Sequence, residues 1–170
     1  RKCSGDCGQG RSAGGVCERL MRGIRNRMTI MQIRGLQNSD VDPVAAIWLN
    51  TNLKTHDFIA AQYWKDNVAL VKAMLSQAEV YETDRKIQGF IGLNGEYIEG
   101  IFVSDEMQSQ GVGKLLLDYI KDRKARLTLN VYQKNTRAIH FYRREGFRIQ
   151  CESLDEDTGE KDYEMVWERK

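Results

Sequence analysis

The sequence predicts one mixed α/β domain with a central sheet and helices on both faces. Three observations carry this. Short strand-like runs cluster between residues 78 and 103, and period-two alternation marks 29–35 and 127–132. Longer segments with apolar residues three and four apart interrupt them. Turn signals join some strands as antiparallel hairpins, while helices separate others, a combination typical of a mixed sheet.

The elements follow in order. Residues 29–35 alternate Ile30, Gln32 and Arg34 against Met31, Ile33 and Gly35, which predicts a first strand. Asn38-Ser39-Asp40 marks a helix start, with Pro43 tolerable in the first turn, and Val44, Ile47 and Trp48 form one face of a helix to about residue 52. The period breaks over 53–59. A second helix is expected over 60–77 from Tyr63 or Trp64, Val68, Val71 and Leu75. Three strands are expected at 78–83, 86–93 and 97–103, with turns at Asp84-Arg85 and Asn94-Gly95. A helix at 111–124 carries Val112, Leu115, Leu116, Tyr119 and Ile120, and 127–132 alternates as a strand. A short helix at 136–145 stops at Gly146, and strands at 147–153 and 162–168 pair across a charged turn.

Composition narrows the function. The 170 residues carry a net charge of +2, but residues 1–27 hold +5 and residues 28–170 hold −3. The first segment also has six of the fifteen glycines, three of the four cysteines and no aromatic residue. It reads as a disordered tail left by expression cloning or by translation from upstream of a start at Met28, with residues 28–170 as the domain. Basic residues do not alternate with aromatics, and the run 121–126 ends a helix, where positive charge is favoured anyway, so no nucleic-acid partner is expected. No stretch approaches 18 apolar residues, so no membrane helix is expected either. Cys3, Cys7 and Cys17 lack the paired spacing of a zinc site, and no metal is expected. Cys151 reads as a small buried residue, and this cysteine usage fits a cytoplasmic protein.

The informative segment is Gln108-Ser109-Gln110-Gly111-Val112-Gly113-Lys114, between a strand and a helix. Backbone N–H groups at a helix start make an anion nest, and glycines let a ligand approach. The alternative is a strand-to-helix turn in which the glycines only relieve strain. A phosphate-binding Walker loop needs glycine at 108 and Ser or Thr at 115, where the chain has Gln108 and Leu115. A dinucleotide fingerprint needs glycine at 116, where Leu116 sits.

The loop instead resembles the Q/R-x-x-G-x-G/A acetyl-coenzyme A loop of the GCN5-related N-acetyltransferase (GNAT) superfamily. The later run from Asn135 through Ala138, Phe141-Tyr142 and Gly146-Phe147 is similar to that superfamily's N-x-x-A-x-x-F-Y segment before G-F. Trp48, His56-Asp57-Phe58-Ile59 and Tyr63-Trp64 resemble small bacterial members.

The resemblance implies a mostly antiparallel sheet and transfer of acetyl from acetyl-coenzyme A to a primary amine by direct attack. The acceptor would be a small-molecule amine, a protein lysine or an N-terminus, and the enzyme a monomer or homodimer. A silent acyl-coenzyme A-binding regulatory module, or transfer of another acyl group or to another acceptor, remains the alternative. The coenzyme would lie between the strands at 97–103 and 127–132, along the backbone of Ile101, Phe102 and Val103, with its pyrophosphate on Gln108 to Lys114. Asn135 would contact it or cap the following helix. Tyr142 would act on the leaving thiolate, the alternative being ring packing. Glu99 is the first candidate base, with Glu79, Tyr132 or a water chain as alternatives. His56, Phe58 and Tyr132 would lie on the acceptor side, although His56 also suits a helix cap and aromatics at this spacing also suit a core.

Overall fold

The computed structural model describes residues 31–75, 78–83 and 85–169. The boundary drawn between residues 27 and 28 lies outside that range. The elements are β1 (Met31–Gly35), a 3-10 turn (Asn38–Asp40), α1 (Val41–Thr55), α2 (Ala61–Asp66), α3 (Val68–Met74), β2 (Glu79–Thr83), β3 (Lys86–Asn94) and β4 (Tyr97–Val103). After a second 3-10 turn (Asp105–Met107) come α4 (Val112–Lys121), β5 (Arg126–Tyr132), α5 (Thr136–Arg144), β6 (Arg148–Asp155) and β7 (Glu160–Glu168).

Seven strands form one sheet in the order β1-β2-β3-β4-β5-β7-β6. Every neighbouring pair is antiparallel except β4 and β5. Alternation along the strands divides the core between two faces. Val80 and Phe90 pack with Val44, Trp48 and Trp64 beneath α1 and α2. Their chain neighbours Tyr81 and Ile91 pack with Leu116, Leu117, Ile139 and Tyr142 beneath α4 and α5. The mixed α/β sheet with helices on both faces is therefore the observed fold.

Several details differ from the sequence reading: Leu115, expected on the apolar face of its helix, is exposed, and the first helix runs on to Thr55. The helix expected over 60–77 is two short helices meeting at Asn67, whose side-chain amide donates to the Tyr63 carbonyl at 2.8 Å and shares it with the Asn67 backbone N–H, a longer bond of 3.3 Å. Cys151 is exposed, since β6 is an edge strand with little cover, and its thiol contacts Glu164 Oε2 at 3.2 Å.

The feature that builds a site is the parting of β4 from β5. Their only register pair among the described residues is Tyr97 with Thr128, supported by Thr128 N–H donating to the Glu96 carbonyl at 3.0 Å. On its other side, β4 pairs Gly100 with Gly92 and Ile98 with Leu93, leaving Glu99 as the extra residue of a β-bulge. A bulge bends and twists its strand, and here β4 leaves β5 from that point toward Val103.

The far edge is held by a charged clip. Arg34 donates to both Asp40 oxygens, at 2.6 and 3.2 Å, and to Glu82 at 2.8 Å, tying β1 to β2 and to the start of α1. The Arg34 guanidinium holds the Asp40 carboxyl below the usual carboxylate range. Because the folded pKa is depressed, this stability is present above the unfolded pKa near 4 and is lost as pH falls through the folded value. Arg34→Met strands the buried Asp40 carboxylate and should cost on the order of 2 kcal/mol, discounted because Arg34 keeps a fifth of its side chain in water. Urea titration should show the loss at pH 7 and a much smaller one near pH 3. An equal loss at both pH values would contradict the clip.

Candidate active site

Where β4 leaves its neighbour lies a cleft of about 820 Å³, lined by β4 and α5 and by no residue of β5. One wall is Ile101, Phe102 and Val103 of β4, the end is the glycine loop, and the opposite wall is α5 with Thr51 and Thr55 of α1 and His56, which caps that helix.

The loop shape follows from its residues. Gly111 adopts φ +87°, a left-handed conformation that glycine takes without penalty, and initiates α4. Ser109 also has positive φ, at 62°. The N–H groups of Gln108 and Gln110 donate within the loop, to Asp105 and Met107. Those of Ser109, Gly111, Val112, Gly113 and Lys114 donate to no group among the described residues, and all five residues line the cleft. This is a donor set for an anion at the positive end of α4. The loop also has side-chain supports. Gln108 donates to the Val103 carbonyl at 3.2 Å, and Arg137 donates to Gln108 Oε1 at 3.3 Å and Ser109 Oγ at 3.2 Å. Lys114 turns its ammonium to Asp118 and Glu145. Gln110 is the one expected loop residue off the cleft wall, its amide donating to the Glu106 carbonyl at 2.6 Å.

Tyr142 reaches the cleft from α5, 7% exposed, with its ring edge-on to Phe141 and Phe147. Burial, with a smaller contribution from Tyr97, pushes its phenol well above the usual value, so the group is a protonated donor at neutral pH. Its hydroxyl bonds to no other described residue.

Asn135 is the N-cap of α5. Its Oδ1 accepts from Ala138 N–H at 3.1 Å, so its amide NH2 faces His56 Nε2 at 3.2 Å. Asn52 Nδ2 donates to the Trp48 carbonyl, which leaves Asn52 Oδ1 to accept from His56 Nδ1 at 2.9 Å. The chain Asn52–His56–Asn135 thus assigns a neutral imidazole protonated on Nδ1. Burial lowers its pKa to about 4. The unfolded chain takes this proton first, near pH 6.5, so stability falls as pH drops from there toward 4. Wild type should lose about 3 kcal/mol relative to His56→Asn across that window, read from urea midpoints. Parallel pH curves for the two proteins would contradict the assignment.

His56 also stacks on Trp64, 5.4 Å between centroids, and meets Phe58 and Tyr132 edge-on. Phe58 and Tyr132 lie beside the cleft rather than on its wall. Tyr132 donates to Asp155 at 2.6 Å, and burial together with that bond holds its phenol protonated. Lys134 rests its ammonium 5.0 Å from the Phe58 ring centroid.

Glu99 stands elsewhere. The bulge exposes it, and it lines a second cavity across Phe102 from the cleft. The sequence reading missed Thr51, Thr55, Met107, Thr136, Arg137, Ala138, His140 and Arg144 as cleft residues. The Phe141 ring lines the cleft as well. Arg137, Phe141 and Arg144 recur at helical spacing beside Tyr142, a signal that was readable.

Comparison with known proteins shows the family. Residues 74–149 match a family model described as an acetyltransferase (GNAT) domain. The peptidyl-lysine N-acetyltransferase YiaC of Escherichia coli K12 is 36% identical over 139 residues, covering 79% of this chain and 95% of YiaC. The chain belongs to the GNAT superfamily.

A second GNAT relative, the peptidyl-lysine N-acetyltransferase YjaB of the same organism, is 29% identical over 81% of this chain and 95% of its own. The solution structure of apo YjaB superimposes with a TM-score of 0.73 at 26% identity, covering 81% of this chain and 97% of that one. The PaiA N-acetyltransferase of Thermoplasma acidophilum, solved with coenzyme A, shares the GNAT fold at a TM-score of 0.68 and 17% identity over 82% of this chain and 99% of its own.

Proposed function

We propose that this GNAT protein transfers acetyl from acetyl-coenzyme A to the side-chain amine of a peptidyl lysine. The observation that carries the reading is the set of uncommitted N–H groups at residues 109 and 111–114 in the same cleft as the buried Tyr142 hydroxyl. Acetyl-coenzyme A supplies the thioester. The N–H groups of the loop fit its pyrophosphate, and the backbone of Ile101, Phe102 and Val103 fits the arm that leads from it. The α4 dipole adds the right sign of field. Asn135 keeps the α5 end of the cleft in place through its cap and its bond to His56. Tyr142 donates a hydrogen bond to the departing thiolate sulfur.

The acceptor amine must lose a proton before it attacks, and because Glu99 lies across Phe102 from the cleft, that proton leaves through water rather than to Glu99. Tyr132 serves no better, because burial and its bond to Asp155 hold the proton on its own phenol. Glu79 is on β2, away from the cleft. His56, neutral and hydrogen-bonded on both nitrogens, orients the acceptor side rather than titrating there.

A cationic acceptor suits the surroundings. Phe58 already accommodates the Lys134 ammonium over its ring, and Asp155 and Asp157 add negative charge beside Tyr63 and Tyr132. The names of YiaC and YjaB favour peptidyl lysine within that class. The test is thiol release from acetyl-coenzyme A across lysine peptides, peptide N-termini, polyamines and aminoglycosides. Lysine peptides should turn over fastest. Faster turnover of any other class would overturn the acceptor assignment.

A further inference from the structure

Behind β4, on the α1–α3 side of the sheet, lies a second cavity of about 340 Å³. Its walls are apolar, with Trp48 of α1, Val71 of α3, Leu75, and Phe90 of β3, and Glu99 stands on its rim. Phe102 is the one residue that lines both this cavity and the coenzyme cleft. Its ring stacks on Phe90, 4.9 Å between centroids and 19° between planes. It also lies across Gly100. A β-carbon built there would come within 2.5 Å of Phe102 Cε2 and 2.7 Å of Cζ, so glycine is what allows the ring to fold along its own strand. The partition between the two spaces is thus one aromatic ring, seated by Phe90 and Gly100.

We propose that this cavity is an acyl-chain site and that Phe102 is the shutter that sets acyl length. The inference rests on the coenzyme reading above. A thioester held along β4 faces Phe102, and a chain longer than acetyl has its straightest apolar path past that ring into the space lined by Trp48, Val71 and Leu75. With the ring seated, the path is closed and the site is restricted to acetyl. The rim adds a charge filter: the Glu99 carboxylate repels acyl groups ending in a carboxylate, so the chains admitted on opening are straight and uncharged. Apolar burial then gives about fourfold in affinity per methylene, equivalent to ~0.8 kcal/mol.

The test measures affinity by calorimetry for coenzyme A and its acetyl, butyryl, hexanoyl and succinyl thioesters, without an acceptor present. Wild type should bind acetyl-coenzyme A as well as or better than the hexanoyl thioester. Phe102→Ala should raise the hexanoyl-to-acetyl affinity ratio at least tenfold, with succinyl gaining nothing. Phe102→Leu, which keeps an apolar side chain for folding but not the ring over Gly100, should show a smaller rise. Adding Val71→Phe, which fills the cavity from α3 without touching the cleft, should remove the gain. If coenzyme A binds all variants as it binds wild type and the chain-length profile stays flat, the acyl-site inference is overturned. The same holds if only an acceptor KM responds, since the cavity would then take the acceptor. If coenzyme A itself does not bind wild type, the coenzyme reading falls, and this inference with it.

Discussion

Tyr142→Phe should lower kcat by about 10²- to 10³-fold and leave the dissociation constant for acetyl-coenzyme A within about twofold. The variant isolates one atom. Phenylalanine keeps the edge-on contacts with Phe141 at 5.2 Å and Phe147 at 5.4 Å, so α5 stays docked on the sheet. What disappears is a protonated hydroxyl in the cleft with no other described partner. A hydrogen bond to the sulfur matters most as charge develops there, so its loss appears in turnover rather than in coenzyme binding. Equal turnover in steady-state thiol release would remove Tyr142 from the mechanism.

The second large effect concerns the loop. Gly111→Val should raise the coenzyme dissociation constant at least about tenfold. Nothing lies within 4 Å of a β-carbon at Gly111, so space is not the obstacle. The obstacle is φ +87°, where a β-branched residue is strained by more than the ~1–2 kcal/mol charged to ordinary L-residues. The loop relieves that strain by leaving the left-handed conformation, which swings the N–H groups of Gly111 and Val112 off their common target. Gly113→Ala is the matched control. Its β-carbon would meet only the Phe141 ring and Ile101 at 3.7 Å or more, ordinary contact, so its affinity should stay near wild type. Calorimetry on both variants distinguishes a backbone requirement from mere bulk, and equal affinity in both would deny the loop its role.

Much of this machinery was legible because it is local. β4 was read as a short strand-like segment with its observed limits, and the loop from glycine spacing at a strand-to-helix junction. Asn135 was read as a cap or a coenzyme contact, and the cap is found in the structure. What stayed hidden depends on distant or three-dimensional partners. The neutral state of His56 needs Asn135, 79 residues away, and a stacked Trp64. The position of Glu99 needs the bulge opposite Gly92 and Leu93, which no alternation pattern in β4 announces. The exposure of Cys151 follows from β6 closing the sheet as an edge, a matter of strand order rather than of local sequence. Asn67 breaks a helical pattern whose apolar spacing continues unbroken, because one side-chain amide competes with the backbone for the Tyr63 carbonyl.

The central claim is that the N–H groups at residues 109 and 111–114, left without partners by the fold, hold the coenzyme's pyrophosphate. It is tested most directly by following assigned backbone amide resonances during titration with acetyl-coenzyme A. The account predicts that the amide protons of Ser109, Gly111, Val112, Gly113 and Lys114 move downfield together with a single saturation curve, while those of Gln108 and Gln110, already bonded within the loop, move least. Saturable binding that leaves these five amides in place and shifts others instead would contradict it.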